Sequence, residues 1–405
     1  MNILFFSPGF PGEMPFFAAA LAEVGARVWG IGDQPAAALP ERARRALSGY
    51  TQTASLWDED DLLRRVREIH RKAPFDRIEC LWEPGMLLAA KLREALGVPG
   101  MTVAQTVPFR DKEAMKSVLD AAGVRTPRHF RATSSQACRE AVERLGFPAI
   151  LKPISGAGSA DTHRVESSGD LDKVLKLLTH IPEVSVEEFI EGEEYTFDTI
   201  SIGGRIAYYN IGWYRPKPLI ARTVPWISPQ TLGLRNVERP ELAGGRRMGA
   251  QVLQALGFGT GFTHMEWFLT PSGEAVFGEI GARPPGGRSV ETMNYACDID
   301  VFRGWAEAVA LRRFSQPVRR RYNSVVVFKR AQGEGRIQRI QGLEGILGRY
   351  GDHIVSVELL PVGAPRRNWK ASLLSDGWII ARHPVLGRAL EIGDRIGTDL
   401  QIFAR

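Results

Sequence analysis

The sequence predicts a multidomain chain that combines α/β and α+β units. Strand and helix patterns alternate through roughly the first hundred residues, which is typical of an open parallel sheet covered by helices. A hairpin pattern follows much later, at residues 263–281, and short strands with one helix occupy the last part of the chain. At 405 residues the chain is too long for one simple core, so two or three domains are expected.

The N-terminal elements alternate as expected for a parallel sheet. Strands are predicted at residues 3–6, 27–31 and 78–82, and helices at residues 16–24, 58–71 and 84–96. The glycines after the first strand do not form GxGxxG, so a nicotinamide site is not supported. Ligands of such sheets bind beyond the carboxyl ends of the strands, which makes Glu13 and Glu83 candidate substrate contacts. Helix-capping carboxylates are the alternative interpretation of both.

The charge and cysteine content narrow the classes of function. The net charge is +6, but the basic residues are scattered without interleaved aromatic residues, so no nucleic-acid partner is expected. Cys80, Cys138 and Cys297 are widely spaced and form no CxxC, which indicates neither a zinc site nor a disulfide framework. A reducing cytoplasm fits this cysteine usage. No apolar run approaches the roughly 20 residues that span a bilayer, so no membrane association is expected.

Two lysines lie where an anion could bind. Asp111 can cap a helix that runs to residue 122, which places Lys112 in its first turn, against the helix dipole. A nearby anion would explain this lysine, and a solvated lysine is the alternative. Lys152 ends a strand and precedes a loop of small residues whose backbone N–H groups could close on phosphate. The candidate loop residues are Ser155, Gly156, Gly158 and Ser159.

An acidic segment at residues 184–198 combines two strand patterns with a turn between them. Its carboxylates include Glu187, Glu188 and Glu194. Such a cluster would be unremarkable on a protein surface. It gains a function only if an adenine amino group and ribose hydroxyls need hydrogen-bond acceptors there.

The hairpin at residues 263–281 carries two facing carboxylates. A turn centred between Ser272 and Gly273 places Glu266 directly across the ladder from Glu279. Opposed Cβ atoms lie about 4.5–5.5 Å apart and like charges repel there, so a cation is expected between them. Magnesium suits two carboxylates plus substrate phosphates, and two solvated glutamates are the alternative. The opposite face is predicted to be apolar, formed by Met265, Trp267, Leu269, Val276 and Ile280.

A proline-rich, aromatic and basic segment at residues 213–226 is predicted to be a long ordered loop of the kind that carries specificity. Arg222 in this loop and Arg288 after the hairpin are candidates for binding a substrate carboxylate, because arginine can grip one with two hydrogen bonds. Surface ion pairs are the alternative for each. His264, which shares the hairpin face of Glu266, either orients a metal ligand or fills space.

The order of these motifs resembles the ATP-grasp superfamily. The motifs are Asp-Lys at a helix start, a strand ending in lysine before a Ser/Gly loop, EEFIEGEEYT, and HME followed by GEIxxRxxGG. The stretches THMEW and EIGARPPGG look like the carboxylate-amine ligase branch that includes bacterial L-amino-acid ligases. The resemblance covers roughly residues 1–315, and the motifs together are far more specific than any one of them.

The resemblance implies a role for each matching residue. Lys112 and Lys152 would contact ATP phosphates, and the loop at residues 155–159 would close over them. Glu187 would accept a hydrogen bond from the adenine amino group, the backbones of Glu188 and Ile190 would bracket the base, and Glu194 would hold the ribose. Magnesium would bind Glu266 and Glu279. The one catalytic side chain would be Arg283, which would stabilise charge on an acyl phosphate and on the tetrahedral adduct.

The resemblance also implies four units: an N-terminal α/β domain at residues 1–105, a small mobile lobe at 106–185, a large lobe with the metal hairpin at 186–317, and an α+β lobe at 318–405. The second and third units together would form the two-lobed ATP-grasp core. The C-terminal lobe is expected to close an amine pocket or to form a homodimer contact.

The activity implied is an ATP-dependent carboxylate-amine ligase that forms an amide through an acyl phosphate and releases ADP and phosphate. Its substrates would be a small-molecule carboxylate and an amine, whose identities the sequence leaves open. Two magnesium ions are expected, and manganese is expected to substitute. Gly281 stands where many members carry asparagine, which removes one ligand of the second ion. The alternatives are a bicarbonate-activating carboxylase of the same superfamily, a non-catalytic ATP-binding module and a nucleic-acid-binding protein.

Overall fold

A computed structural model describes residues 1–156, 161–370, 372 and 374–405 of the chain. Within these residues the strands, in chain order, are β1 Asn2–Phe6, β2 Arg27–Gly32, β3 Leu47–Gln52, β4 Arg77–Glu79, β5 His129–Ala132, β6 Ala149–Pro153, β7 His163–Val165, β8 Val184–Glu188, β9 Glu193–Ile202, β10 Arg205–Asn210, β11 Gly212–Arg215, β12 Gln230–Gly233, β13 Gly261–Leu269, β14 Ala275–Gly281, β15 Asn323–Lys329, β16 Ile337–Gln341, β17 Ile354–Leu359, β18 Gly377–His383 and β19 Gln401–Ala404.

The helices alternate with these strands in the first part of the chain and flank the sheets elsewhere. In chain order they are α1 Met14–Glu23, α2 Glu41–Ala46, α3 Glu59–Lys72, α4 Met86–Leu96, α5 Val103–Thr106, α6 Lys112–Ala121, α7 Ser135–Leu145, α8 Ser168–Leu177, α9 Pro218–Thr223, α10 Ala243–Ala255, α11 Ser289–Cys297, α12 Val301–Leu311, α13 Leu343–Tyr350 and α14 Leu386–Asp399. Among the residues that the structure describes, no helix combines the length and apolar composition needed to cross a membrane.

The N-terminal unit is the predicted open parallel sheet. Its strands lie in the order β3-β2-β1-β4, and every pairing is parallel. The predicted strands and helices of this unit are all present. β3 was not predicted, because its residues, LSGYTQ, lack the apolar run that identifies a buried strand.

The N-terminal sheet is fixed to the rest of the chain by aromatic side chains. Phe17 of α1 packs edge-on against Trp305 of α12, with ring centroids 5.1 Å apart, and against Phe302 at 4.8 Å. Phe17 and Trp305 are fully buried. Complete burial of a side chain such as Phe17 stabilises the folded state by about 1.5–3 kcal/mol, so α1 and α12 hold the parallel sheet against the large lobe.

A small antiparallel sheet forms a separate lobe. Its strand order is β5-β8-β6-β7, and α7 and α8 cover it. The side chains Leu151 and Val186 are fully buried beneath these helices. β8 runs to Glu188, so the strand crosses the predicted boundary at residue 185 and belongs with the small lobe.

The large antiparallel sheet contains nine strands among the described residues. Its main path is β14-β13-β9-β11-β12-β15-β18-β17, and β10 pairs with β9. The ladder between β12 and β15, with Leu232 opposite Val325, carries the sheet across the predicted boundary at residue 317. Part of the predicted C-terminal lobe therefore continues the sheet of the large lobe. α13, α14 and the strand pair β16-β19 complete that lobe, which is α+β as predicted.

Candidate active site

Helix α6 begins with a cap that aims two lysines into the interior. The Asp111 carboxylate accepts hydrogen bonds from the backbone N–H groups of Glu113 and Ala114, both at 2.9 Å, which satisfies orphan donors of the first turn. Lys112, the first helical residue, is 4% exposed. Its Nζ atom donates to the Gly156 carbonyl at 2.6 Å and lies 3.2 Å from Glu279 Oε1. The alternative of a solvated lysine is therefore wrong.

A second pair of lysines holds the acidic strand β8. Glu187 is buried, and its carboxylate lies 2.5 Å from Lys116 Nζ through Oε1 and 2.9 Å from Lys152 Nζ through Oε2. Burial opposes the charge of Glu187, but the two lysines outweigh it and lower its pKa well below the usual value. At Lys152 burial also opposes the charge, but the neighbouring carboxylates outweigh it and raise the pKa. At Lys116 burial outweighs the carboxylates and lowers the pKa.

The predicted contact with adenine requires that the Glu187 carboxylate can accept one more hydrogen bond. Oε1 accepts from Lys116 and from the Ser185 hydroxyl at 2.8 Å, and Oε2 accepts from Lys152. An ionised carboxylate offers about four lone-pair sites, so one site on Oε2 remains for a further donor. The backbone N–H of Glu188 donates to the Arg128 carbonyl at 2.8 Å, so this N–H group is already occupied.

The hairpin of β13 and β14 has the predicted pairing. β13 and β14 place Glu266 directly opposite Glu279. The register shifts immediately after this pair, so that Trp267 lies opposite Phe277, and Gly278 is left at the bulge. A Cβ atom on Gly278 would lie 2.9 Å from the Glu266 carbonyl oxygen, which is too close for any other residue to fit without a shift.

The bulge corrects one predicted face of the hairpin. Met265, Trp267 and Ile280 lie in the main core cluster, as predicted, and Leu269 packs against it. Val276 was predicted to join this cluster, but Phe277 does so instead. Val276 lies opposite Phe268. The prediction assumed an uninterrupted alternation, and one extra residue in a strand reverses the faces beyond it.

Glu266 is held by neighbours on the same face of the large sheet. It accepts a hydrogen bond from the Tyr214 hydroxyl at 3.0 Å, and Nε2 of His264 lies 3.4 Å from it. His264 Nδ1 in turn lies 2.6 Å from Asp198 Oδ1, and Asp198 accepts from Asn210 at 3.1 Å. Burial opposes a charge on His264, but the two carboxylates raise its pKa to about 9. His264 therefore orients Glu266 rather than filling space.

Glu194 adds a third carboxylate to this face. It lies on β9, next to the hairpin, and is 8% exposed. Burial raises the pKa of Glu194 well above its usual value, and the negative charge of Glu266 raises it further. Glu194 and Glu266 therefore lie close enough for the charge of one to oppose ionisation of the other.

These carboxylates fit magnesium shared with a nucleotide. Among the described residues, no three His, Cys, Asp or Glu side chains form a ready metal cage. Magnesium does not need one, because it usually binds one or two carboxylates together with waters and substrate phosphates. The facing pair Glu266 and Glu279, with Lys112 and Lys152 beside them for phosphate oxygens, supplies that set.

Arg283 follows the hairpin and is anchored by the N-terminal unit. Its Nε atom donates to Glu83 Oε2 at 2.8 Å, and Glu83 also pairs with Arg110. Arg110 in turn donates to the Ser155 carbonyl at 3.2 Å. Glu83 therefore does not cap a helix, and its carboxylate links three parts of the chain. Its two arginines lower its pKa despite burial.

Gly281 lies beneath this arginine. A Cβ atom there would lie 3.3 Å from Arg283 Cγ, which is tighter than ordinary van der Waals contact. The space of the missing side chain is therefore filled partly by Arg283 itself. A residue with a side chain at position 281 would require the arginine to shift.

The other predicted site residues are distributed unevenly. Ser155 and Gly156 lie at the site through the carbonyls that Arg110 and Lys112 bind. Ile190 is buried between β8 and β9. Gly158 and Ser159 lie outside the described residues.

Arg222 is not among the catalytic groups. It donates to the Lys370 carbonyl at 2.7 Å and lies near Arg330, whose own guanidinium stacks 4.1 Å from the Trp369 ring. It forms no ion pair among the described residues, so the surface ion-pair alternative does not describe it either.

Glu13 and Arg288 belong to a second buried group. Arg288 Nη1 donates to Glu291 at 2.7 Å, and its guanidinium stacks 4.3 Å from the Trp378 ring. Arg288 Nε and Glu291 Oε2 are buried atoms without a hydrogen-bond partner. Burial and, more weakly, the charge of Glu13 raise the pKa of Glu291. Glu13 occupies the N-cap position of α1, but its side chain makes no capping hydrogen bond.

Sequence reasoning missed Lys116, Tyr214 and the role of Asp198. Two signals could have identified the first and the last. Lys116 follows Lys112 by four residues, which places both on one face of α6. Glu194 and Asp198 share the period of two that puts them on one face of β9. No local pattern marks Tyr214, since only the packing of β11 in the sheet brings it to Glu266.

Two domain models and several known proteins are similar to this chain. An ATP-grasp N-terminal domain matches residues 19–100, and an ATP-grasp domain matches residues 109–211. The L-arginine-specific L-amino acid ligase of Bacillus subtilis is 28% identical over 231 residues, which cover 54% of either chain. The chain thus spans about half the length of this curated relative.

Two solved structures share the fold. The crystal structure of L-amino acid ligase from Bacillus licheniformis superposes with a TM-score of 0.81 at 22% identity, covering 100% of this chain and 98% of the other. The crystal structure of N5-carboxyaminoimidazole ribonucleotide synthetase from Thermotoga maritima superposes with a TM-score of 0.73 at 19% identity. This match covers 100% of this chain and 99% of the other. The predicted fold class is confirmed. The chain therefore contains an ATP-grasp N-terminal domain at residues 19–100 and an ATP-grasp domain at residues 109–211, and its fold is shared with these two solved structures.

Proposed function

We propose that the chain is an ATP-dependent ligase that joins a small-molecule carboxylate to an amine through an acyl phosphate. One observation carries the proposal: Lys112, at the start of α6, reaches Glu279 of the hairpin at 3.2 Å, with Glu266 directly opposite. The side chains that we propose to bind phosphate and metal thereby lie at one place, where Lys112 also donates to the Gly156 carbonyl. The similarity to the L-arginine-specific L-amino acid ligase supports this choice of reaction.

The nucleotide would occupy the space between the small and large sheets. Lys112 and Lys152 would bind its phosphates. Glu187 would accept from the adenine amino group through its remaining lone pair, and the segment from Glu188 to Ile190 would border the base. Glu194 would accept from the ribose hydroxyls. Glu187 is already held in place by the buried Lys116 and Lys152, so its carboxylate would need little reorganisation on binding.

Glu266 and Glu279 would hold magnesium. The ions, when bound, would offset negative charge on the phosphates during transfer. Tyr214 and His264 keep Glu266 oriented toward that position, and Lys112 pairs with Glu279 until the nucleotide arrives. Manganese is expected to support the reaction, since the proposed ligands are oxygen atoms that also suit that ion.

Two covalent steps would follow. A substrate carboxylate oxygen attacks the γ-phosphorus of ATP, the bond to the β-phosphate oxygen breaks, and ADP leaves. The amine then attacks the acyl carbon, phosphate leaves with the bonding electron pair, and the amine nitrogen loses a proton. Arg283, fixed by Glu83, would stabilise the negative charge of the acyl phosphate and of the tetrahedral adduct.

The group around Arg288 supports a polar substrate. Arg288 Nε is a buried donor and Glu291 Oε2 a buried acceptor, both without partners. A substrate with a carboxylate and an ammonium group, such as an amino acid, would satisfy both atoms if the side chains turned toward it. Glu13 would add negative charge for the ammonium group. Arg222 contacts none of these residues, so we assign it no substrate role.

The test is phosphate release with magnesium-ATP across a panel of carboxylic acids and amines, with mass spectrometry of the products. The proposal expects phosphate release that requires both an acid and an amine, and an amide product of the combined mass less water. Phosphate release that requires bicarbonate and gives a carboxylated amine would instead establish the carboxylase alternative. ATP binding without turnover on the whole panel would favour the non-catalytic module.

A further inference from the structure

We propose that a cleft between the large lobe and the C-terminal lobe binds a small organic anion with at least two negative charges. The cleft is lined by the residues that follow β12, by the start of β15 and by the start of α14. Its volume is about 590 Å³. Sites for small molecules typically occupy about 300–1,000 Å³, so a metabolite rather than a single inorganic ion fits this space.

The cleft is separate from the proposed nucleotide site. Two of its lining residues, Leu234 and Leu386, pack in or against the core cluster that contains Met265 and Trp267. Those two side chains of β13 alternate with Glu266 along the strand. Since neighbouring residues of a strand point to opposite faces, the cleft lies on the side of the sheet away from Glu266.

Three arginines give the cleft its chemistry. Arg235, Arg239 and Arg320 line it, together with the uncharged side chains of two asparagines, two leucines and a proline. None of these lining residues is acidic. Several guanidinium groups around one space match the oxygen geometry of phosphate and carboxylate groups, because each can donate two parallel hydrogen bonds.

Two of the arginines are positioned by uncharged acceptors. Arg320 donates to the Tyr209 carbonyl at 2.6 Å, and its guanidinium lies 4.5 Å from the Tyr209 ring centroid. Arg235 donates from Nη1 to the Pro384 carbonyl at 3.2 Å, and its backbone N–H donates to Asn323 at 3.0 Å. Among the described residues neither Arg235 nor Arg320 forms an ion pair, so no carboxylate competes with a ligand for either guanidinium.

The nearby carboxylates leave a positive balance. Glu241 Oε1 lies 3.1 Å from Arg239 Nε, but this buried nitrogen makes no hydrogen bond of acceptable geometry. Glu238, which does not line the cleft, lies 3.0 Å from Arg246 and accepts from the Tyr209 hydroxyl. Three lining arginines thus have one carboxylate beside them, that of Glu241, and an anion with two charges would balance the group.

The test is isothermal titration with two defined probes, glycerol 2-phosphate and succinate. Both carry two negative charges, and the comparison distinguishes a phosphoryl from a carboxylate ligand. The full chain is first saturated with magnesium and a non-hydrolysable ATP analogue, so that the probes cannot occupy the proposed nucleotide site. We expect one binding site for at least one probe. Absence of binding by both probes at millimolar concentration would overturn the proposal.

Variants decide whether the arginines form the site. Arg235→Gln combined with Arg320→Gln should raise the dissociation constant by about tenfold or more, since each removes a charge-assisted hydrogen bond. The matched control combines Arg313→Gln with Arg319→Gln, two exposed arginines outside the cleft, and should leave the constant unchanged. If both double variants weakened probe binding equally, the arginines would act only through the overall charge of the protein. That result would overturn the proposal.

Arg235→Gln is also measured alone, because the double variant removes the packing of Arg320 on Tyr209 and this change can affect folding. Arg235 itself is exposed. This variant should weaken binding while leaving the melting temperature near that of the wild type. Unchanged binding in this single variant would also count against the site. The measurement needs no turnover, so failure of the ligase proposal and failure of this one are distinguishable.

Discussion

Lys112 Nζ lies 3.2 Å from Glu279 Oε1, although α6 precedes the small lobe and Glu279 lies on the second strand of the metal hairpin. The same lysine donates to the Gly156 carbonyl at the start of the phosphate loop. One ammonium group thereby joins the two sides of the proposed nucleotide site. Nucleotide phosphates would replace the Glu279 carboxylate as the partner of Lys112. Glu279 would then be free to bind a cation.

Replacement of Glu279 by glutamine should abolish ligation while leaving the fold intact. Glutamine keeps the shape of the side chain but removes the charge that magnesium needs. We expect the rate of phosphate release to fall by about 100-fold or more. The control is Glu274→Gln on the same hairpin, where the side chain is 51% exposed. Turnover at the wild-type rate in Glu279→Gln would remove the metal assignment.

Lys152→Ala should weaken both nucleotide binding and the folded state. It removes a phosphate contact and one of the two lysines that neutralise buried Glu187. Removal of one partner from a buried ion pair typically costs about 3–5 kcal/mol. Denaturant unfolding measures the second effect, and titration with the ATP analogue below the unfolding transition measures the first. Lys176→Ala, on helix α8, is the control. An unchanged ATP affinity would contradict the phosphate role.

Tyr214→Phe should raise the magnesium concentration required for half-maximal phosphate release. The substitution removes the hydroxyl that donates to Glu266 at 3.0 Å and keeps the ring. Loss of a hydrogen bond to a metal ligand typically weakens metal affinity by about 10- to 100-fold. Tyr209→Phe, whose hydroxyl binds Glu238 on the other side of the sheet, should leave the magnesium requirement unchanged. A lower maximal rate without a change in that requirement would show that Tyr214 does not act through the metal ligand.

Glu83 should act through Arg283. Glu83→Gln keeps a hydrogen-bond acceptor but removes the charge that holds the guanidinium at 2.8 Å. Arg283→Ala is expected to abolish turnover, whereas Glu83→Gln should lower the maximal rate by roughly 10-fold. The double variant should be no worse than Arg283→Ala alone, because both changes affect one interaction. Losses of maximal rate that add up in the double variant would show that Glu83 does not act through Arg283. Circular dichroism spectra check that each variant folds.

His129 should make stability depend on pH. It lies 2.7 Å from Glu113 and 3.0 Å from Asp120, and these carboxylates raise its pKa above the usual 6.5 despite burial. A raised pKa in the folded state stabilises the protein fully below the unfolded value and loses that effect as pH rises through the folded value. The free energy of unfolding lost in His129→Gln should therefore be largest below about pH 6.5 and shrink above it. His180→Gln, with a side chain 62% exposed, is the control. A loss that stays constant between pH 6 and pH 9 would contradict this.

Local pattern was sufficient for the parts of the site that lie within one element. The alternation of residues 263–281 predicted the facing pair Glu266 and Glu279, because the period of a strand fixes which side chains face each other. The cap at Asp111 predicted where α6 starts and hence the position of Lys112. The predicted alternation failed only beyond Gly278, where the bulge is not encoded by the apolar pattern.

Contacts between elements were beyond such reasoning. Glu83 and Arg283 are 200 residues apart in the chain, and each separately was a candidate substrate or catalytic group. Their pairing arises because the parallel sheet packs against the large lobe through Phe17 and Trp305. A lone sequence contains no signal for the distance between two side chains on separately folded units.

By itself, then, the sequence determined the order of the units, the family motifs and the residue types of the site, since these depend on local periodicity and composition. The tertiary structure alone decided that Glu187 is shared by two lysines, that Tyr214 and His264 hold Glu266, and that Arg283 rests on Glu83. The physical reason is that charge pairing and burial act over a few ångströms in space, and the packing of the sheets determines which distant residues come that close.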